Sequence, residues 1–352
     1  MTGPVPSAGE NTASPCDRSP VTGARAVLAG GSGFVGVRLA EDLRRRGYQV
    51  VQVGRRGPDV RWGEPEALAA AVDGADLVVN LAGRSVGCRY TDAHRDEIYD
   101  SRIDTTRALS DAVRQAERPP RLWMNASTAT LYRHATDRPQ TEEDGELGEG
   151  FSVDVARDWE RAFFADDLPD TRRVALRMAI VLGDGPALNK LLTAARCGIG
   201  GAQRDGWWFA HRRYRGIGPT PTGPAVWHRH HDTAGGSQWF SWIHLEDLVS
   251  AVAHLDEHAE IDGPVNLAAP GTSTNRALMA ALRRAARAPF GLPAPRWFLE
   301  IGMVVLRQES ELVLKSRWAV PERLLESGFV FRWTELEAAV EDLCPPRGSR
   351  TS

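Results

Sequence analysis

Nothing in this sequence approaches the run of about 20 apolar residues that a helix needs to cross a membrane. Residues 1–23 contain no apolar core of the kind an export signal carries, so the expected compartment is the cytosol. Cysteine is scarce: Cys16, Cys88, Cys197 and Cys344 are the only four, and no two stand at metal-ligand spacing. Free thiols in a reducing compartment are therefore expected, not a disulfide framework. An excess of charge of one sign is also lacking. The formal net charge of -3 gives no overall field that would draw the chain to nucleic acid or to an anionic membrane. No internal repeat is visible, which argues against a solenoid.

What is present is an ordinary globular composition, 42 % hydrophobic and 25 % charged. The 352 residues leave room for two domains or one large two-lobed one. Residues 1–23 are rich in Pro, Ser, Gly and Thr and read as a disordered tail. From Arg25 onward, short apolar runs alternate with amphipathic stretches. Residues 26–29 read as a buried strand. Residues 34–46 read as a helix, with Val35, Leu39 and Leu43 on one face and Gly47 as its stop. Further strands are expected at 48–53, 75–81, 121–127 and 174–182, and helices at 66–72, 92–117 and 153–164. This alternation predicts an α/β fold, a doubly wound parallel sheet covered on both faces.

After Gly183 the rhythm changes. Residues 198–236, rich in Gly, Pro, Trp, Arg and His, show no period and are too long for an ordinary connection, so an insertion or lid is expected. Strands at 238–244 and 265–268 and helices at 246–254 and 275–286 follow, and helical apolar stripes at 300–320 and 322–343 close the chain.

The most specific motif is AGGSGFVG at residues 29–36. Gly30, Gly33 and Gly36 follow a strand and open a helix. Gly30 permits the tight turn, Gly33 lets backbone amides approach a pyrophosphate, and Gly36 lets helix and strand pack closely. The helix N-terminus adds free N–H groups and partial positive charge. At the end of the next strand stands Gly54-Arg55-Arg56, with no acid before Asp59. An acid there would bond the adenosine ribose of NAD. Two guanidiniums suit a 2′-phosphate, so NADP(H) is the expected cofactor.

With NLAG at Asn80–Gly83, NASTATLY at Asn125–Tyr132 and SWIHLEDL at Ser241–Leu248, the chain resembles the extended short-chain dehydrogenase/reductase superfamily over most of residues 24–270. More closely, it is similar to the atypical nucleoside-diphosphate-sugar-epimerase-like subfamily, whose Rossmann core carries a short extra C-terminal domain. The matching pieces are RYTDAHRDEIYDSRIDTTRAL (Arg89–Leu109), FSVDVARDWE (Phe151–Glu160), QWFSWIH (Gln238–His244) and VPERLLESGF (Val320–Phe329). The resemblance implies an NADP-binding Rossmann domain at 24–183, a smaller mixed lobe on the substrate side at 184–294, and a small helical domain at 295–345. It implies cofactor contacts from Gly30, Ser32, Gly33, Phe34, Val35, Gly36, Arg55, Arg56, Leu81, Ala82, Gly83 and Ser127. A small-molecule substrate and a homodimer through the helices at 92–117 and 153–164 go with it.

The superfamily's proton relay uses a Ser or Thr, a Tyr and a Lys. Thr128 falls on the first position. Anchoring on Glu160 puts the tyrosine position at Ser152 and the lysine position at Ala156. A serine hydroxyl is a far weaker acid than a phenol, and alanine carries no charge. Either other residues move the proton or no redox turnover occurs.

Tyr132, four residues beyond Thr128, is one substitute, with plain packing as its alternative. Asp154 is another, explained equally by the helix dipole. Arg102, on the nicotinamide side in relatives, and Arg89, just past the NLAG strand, are candidates to hold a substrate phosphate or carboxylate, or are surface charge. His244, beside Phe240 and Trp242, is a substrate-side candidate or a core histidine. Two functions stay open: an NADP(H)-dependent oxidoreductase or epimerase with Thr128 orienting the reacting oxygen, and a non-catalytic NADP(H)-binding sensor or scaffold.

Residues 207–231 interleave aromatics with Arg and His, yet no nucleic-acid fold accompanies them, so a lid or oligomer contact is expected. His228, His230, His231 and Asp232 lack helical ligand spacing, and no metal is expected.

Overall fold

The structure is a computed structural model that describes residues 23–56, 59–209, 211–218, 227–229, 233 and 235–345. The expected tail, apart from Gly23, and residues 230–232 of the histidine-rich stretch lie outside the described residues.

β1 (Arg25–Ala29) is apolar and buried from Ala26 onward because both of its faces are covered there. α1 (Phe34–Arg45) stops where Gly47 takes a left-handed backbone, φ 94°. β2 (Gln49–Gly54) is followed by β3 (Val60–Arg61), a two-residue edge strand too short to show a period. Then come α2 (Pro65–Val72), β4 (Leu77–Asn80), α3 (Asp92–Gln115), β5 (Leu122–Thr128), α4 (Phe151–Phe163) and β6 (Arg172–Met178). Thr91 caps α3 by accepting the N–H of His94.

The strand expected over 174–182 is two strands. The N–H of Ala179 goes to the Leu267 carbonyl and that of Ile180 to Ser241, so β7 (Ile180–Leu182) leaves the main sheet. After α5 (Pro186–Ala194), β8 (Trp207–Phe209) pairs antiparallel with β9 (Trp227–Arg229), giving the insertion a short ribbon. The strand expected at 238–244 also divides, into β10 (Trp239–Phe240) and β11 (Trp242–His244). Between them the Ser241 hydroxyl donates to the Arg317 carbonyl at 2.8 Å.

α6 (Leu245–Glu257) leads into β12 (Gly263–Leu267), which rejoins the main sheet, and β13 (Ser273–Thr274) leads into α7 (Asn275–Ala285). The apolar stripe at 300–320 is not one helix. α8 (Arg296–Val305) ends near Arg307, whose φ is 53°, and α9 (Glu311–Leu314) is a single turn. α10 (Glu322–Glu326) and α11 (Leu336–Leu343) finish the chain.

The main sheet runs β12-β6-β5-β4-β1-β2-β3 with every neighbour parallel. Chain order reverses between β1 and β4. The crossovers there depart to opposite faces and leave a crevice at the C-terminal strand ends. One core layer packs Leu39 and Leu43 of α1 and Leu248 and Val252 of α6 on Leu28 and Leu77. The other packs Leu68, Leu109 and Val113 on Val27 and Trp123, with Phe163 edge-on to Trp123 at 4.7 Å. Truncating a fully buried aromatic such as Trp123 costs about 3–5 kcal/mol. Among the described residues no helix is long and apolar enough to cross a membrane.

Candidate active site

The crevice begins at the glycine turn. Gly30 has φ 80°, and a Cβ there would stand 2.7 Å from the Leu81 carbonyl carbon, so only glycine lets β1 and β4 approach this closely. The Gly33 N–H closes the turn on the Gly30 carbonyl at 3.0 Å. No side chain caps α1, and no acid occupies its first turn. Its N-terminal N–H groups are thus presented to an anion.

Beside the turn lies a depression of about 700 Å³ lined by Gly31, Ser32, Gln52, Arg44, Arg55 and Arg56. Asp59 also lines it, but its carboxylate already accepts the Gln52 N–H at 2.8 Å. Three guanidiniums against one engaged carboxylate favour a phosphate over a sugar hydroxyl. Arg44, in the last turn of α1, belongs to this wall and has no motif that marks it in the sequence.

A second cavity of about 430 Å³ opens at the ends of β4 and β5. It brings together Val35, Leu81, Ala82, Gly83, Ser127, Thr128 and Arg102 from the expected set. Asn80 shapes its rim: its Oδ1 accepts the Ala82 N–H at 3.0 Å, and its amide donates to Asn125 at 2.7 Å. Thr128 Oγ1 accepts the Thr130 N–H at 3.1 Å, and among the described residues its own proton has no acceptor. The Ser127 hydroxyl donates to Glu160 at 2.5 Å. The Phe34 ring lies against Gly183 and Gly185.

Arg102 projects from α3 into this cavity. Its Nη1 donates to the carbonyls of Ile98 at 2.9 Å and Arg84 at 3.1 Å, and its cation lies over the Trp159 ring. Among the described residues it has no carboxylate partner. Desolvation pulls its pKa down to about 10.

Other expected residues stand outside the cavity lining. The Tyr132 hydroxyl is buried, donating to Asn266 and accepting from Arg177, both at 2.9 Å. Asp154 is half-buried and paired with Arg157 at 2.8 Å. Arg89 donates to the Gln308 carbonyl and faces Glu309. His244 caps α6, stacks on Trp333 at 3.7 Å and faces Asp342, and burial lowers its pKa.

Ser152 and Ala156 do line the cavity, so the two divergent positions belong to its wall. Tyr90, Thr130, Leu312 and Arg317 line it too, and none of them was assigned a role from sequence. The C-terminal segment is bound in place there. Lys315 Nζ donates to the Thr130 carbonyl at 2.7 Å, Arg317 Nε to Thr130 Oγ1 at 3.2 Å, and the Tyr90 N–H to Glu309 at 2.7 Å. Among the described residues no group of three or more His, Cys, Asp or Glu could hold a metal.

A parallel sheet with this strand order, a glycine turn at its switch point and a cavity at its C-terminal edge define a dinucleotide-fold protein of the epimerase and dehydrogenase kind. Residues 26–153 match the NAD dependent epimerase/dehydratase family, and residues 294–343 match a domain of unknown function, DUF1731. The chain belongs to the epimerase family that these two segments mark. It is 30 % identical to the epimerase family protein SDR39U1 of Bos taurus, over 91 % of this chain and 99 % of that one. It is 27 % identical to the epimerase family protein YfhF of Bacillus subtilis strain 168, over 91 % and 98 %.

Among solved structures it is similar to human SDR39U1 isoform 2, crystallised with NADPH. The TM-score is 0.74 at 27 % identity, covering 91 % of this chain and 99 % of that one. A nucleoside-diphosphate sugar epimerase from Corynebacterium glutamicum matches with TM-score 0.66 at 26 % identity, over 93 % of this chain and 58 % of that one.

Proposed function

We propose that this chain binds NADP(H) and is an oxidoreductase or epimerase acting on a small substrate that bears an anionic group. The observation that supports it most is the Gly30–Gly36 turn, opening onto a depression walled by Arg44, Arg55 and Arg56. The NADPH bound to human SDR39U1 points the same way. When bound, the cofactor supplies a hydride donor or acceptor. The chain's residues do the rest.

The α1 N-terminus holds the pyrophosphate, Arg55 and Arg56 the 2′-phosphate, and the 81–83 run with Ser127 the far end. Thr128 orients the reacting oxygen with its hydroxyl proton. Arg102 anchors a substrate carboxylate or phosphate, since it meets the cavity without a carboxylate of its own. In this reading Tyr132, Arg89 and His244 support the walls from behind, and Asp154 serves α4 at the surface.

The reading keeps the Rossmann unit at 24–183, the substrate-side lobe at 184–294 and the helical unit at 295–345. It includes a cytosolic location and a homodimer through the outer faces of α3 and α4, testable by light scattering. The enzyme reading itself is tested by following hydride exchange across a panel of sugar nucleotides and carbonyl compounds. Loss of exchange on every one, with the cofactor still bound, counts against it.

One observation favours a second reading, a non-catalytic NADP(H) sensor: Ser152 and Ala156 stand in the wall where the relay's Tyr and Lys belong. It expects cofactor to change affinity for a partner, and Thr128→Ala to leave that change intact.

A further inference from the structure

α4 brings neither a tyrosine nor a lysine to the cavity beside Thr128, yet a phenol reaches it from another element. Tyr90, in the loop before α3, lines the cavity, and its hydroxyl stands 3.5 Å from Ser152 Oγ. Ser152 Oγ donates in turn to Glu311 Oε2 at 2.8 Å. Glu311 comes from α9, is buried, and among the described residues its other oxygen has no hydrogen-bond partner.

We propose that Tyr90 exchanges the proton with the substrate oxygen and that Ser152 and Glu311 relay it, a role that rests on the oxidoreductase reading above. The three oxygens form a continuous chain from the cavity to a buried carboxylate, so each can give a proton to the next as it receives one. Serine is too weak an acid to end such a chain, but a middle link needs only concerted exchange. A buried carboxylate oxygen left without a donor is costly, which fits a group kept as a proton acceptor rather than for stability. Ser152 occupies the position of the superfamily's tyrosine. The phenol has thus moved one hydrogen bond away, onto a different element.

In the oxidation direction the substrate hydroxyl proton passes to Tyr90 Oη. The Tyr90 proton passes to Ser152 Oγ, and the Ser152 proton to Glu311. The substrate C–H bond breaks, its electron pair leaves with the hydrogen as hydride to the bound nicotinamide, and the C=O bond forms. The alcohol loses one proton and one hydride, Glu311 gains the proton, and the oxidised cofactor gains the hydride. Reduction runs the same transfers backwards from protonated Glu311.

The charged groups facing this chain are Arg102 on α3, Glu309, Lys315 and Arg317 on the C-terminal segment, and Glu311 itself. Burial and Glu311 hold the Tyr90 phenol well above its ordinary range, so it stays protonated near neutral pH and its proton moves only in concert.

The test uses the full chain labelled at tyrosine ζ-carbon, where five tyrosines give an assignable spectrum and Tyr90→Phe identifies the relevant resonance. A chain of hydrogen bonds makes the Tyr90 resonance shift in Glu311→Gln and in Ser152→Ala alike. A Tyr90 resonance unchanged in Glu311→Gln overturns the relay. Kinetics are read as NADPH oxidation with 9,10-phenanthrenequinone as the probe carbonyl. Tyr90→Phe loses roughly a hundredfold or more in turnover while NADPH affinity stays at the wild-type value. Glu311→Gln moves the pH–rate profile without lowering Tm. Wild-type turnover in Tyr90→Phe overturns the assignment. A wild-type chain that binds no NADPH instead sinks the oxidoreductase reading, and the resonance shift in Glu311→Gln then still decides whether the three groups are coupled.

Discussion

The Arg102 guanidinium lies 5.0 Å over the Trp159 ring, and two backbone carbonyls, rather than a carboxylate, accept its hydrogens. A cation held this way keeps part of its planar donor edge for an incoming anion. Arg102→Ala is expected to raise KM about tenfold to a hundredfold for whichever substrate the carbonyl panel returns, with NADPH affinity unchanged. That range corresponds to about 1.5–3 kcal/mol for a hydrogen bond to a charged group. Arg102→Lys recovers only part of it. An unchanged KM in Arg102→Ala would mean that the anion binds elsewhere or that the substrate is neutral.

Gly36 sits where α1 crosses the glycine turn. A Cβ there would press on the Gly30 carbonyl and stand 2.8 Å from Gly31 Cα. Gly36→Ala should push α1 off the turn, costing about 1–3 kcal/mol of stability and at least roughly tenfold in NADPH affinity. Gly302→Ala in α8, where a Cβ would meet no described residue outside its own helix within 4 Å, serves as the control and should stabilise slightly. Thermal unfolding and a fluorescence titration with NADPH read both outcomes.

Arg177 and Glu160 form a nearly buried ion pair at 2.8 Å that also holds the Tyr132 hydroxyl. Arg177→Met strands Glu160 and should destabilise the fold by about 3–5 kcal/mol in urea denaturation. Arg177→Met/Glu160→Gln should restore much of that loss. A double variant no better than the single one would place the loss in the Tyr132 contact.

Lys315, one of two lysines in the chain with Lys190, is buried, and desolvation depresses its pKa from 10.5 to about 8. The unfolded chain therefore binds more protons at this site between those values, and stability from this group rises with pH across that window. Relative to Lys315→Met, the wild type should gain up to about 3 kcal/mol between pH 8 and 10.5. Denaturation curves at several pH values check the slope. A difference that stays flat would mean that the ammonium is not desolvated.

The first half of the fold was legible because its signals are local. The apolar run of β1, the Gly30 turn and the 3.6-residue stripe of α1 lie within some twenty consecutive residues, and turn chemistry fixes their geometry. What sequence misplaced depends on distant partners. The strand at 174–182 breaks because Ala179 and Ile180 bond to Leu267 and Ser241, and the one at 238–244 breaks because Ser241 bonds to Arg317. The stripe at 300–320 has helical spacing, but the chain turns at Arg307, and Arg317 is drawn to Thr130.

In the site, Thr128 and Arg102 were recoverable from motif position. Tyr90 and Glu311 were not, since Ser152 and Glu311 stand 159 positions apart and only topology joins them. Ser152 and Ala156, conspicuous in sequence for what they lack, prove to be wall residues beside the groups that surround them.

The central claim is that the crevice holds a 2′-phosphorylated dinucleotide. The most direct measurement is calorimetric titration of the full chain with NADPH and with NADH, repeated on Arg55→Ala/Arg56→Ala. The expected result is tight NADPH binding, weaker NADH binding, and collapse of the difference in the double variant. Equal affinity for the two cofactors, or binding of neither, would contradict it.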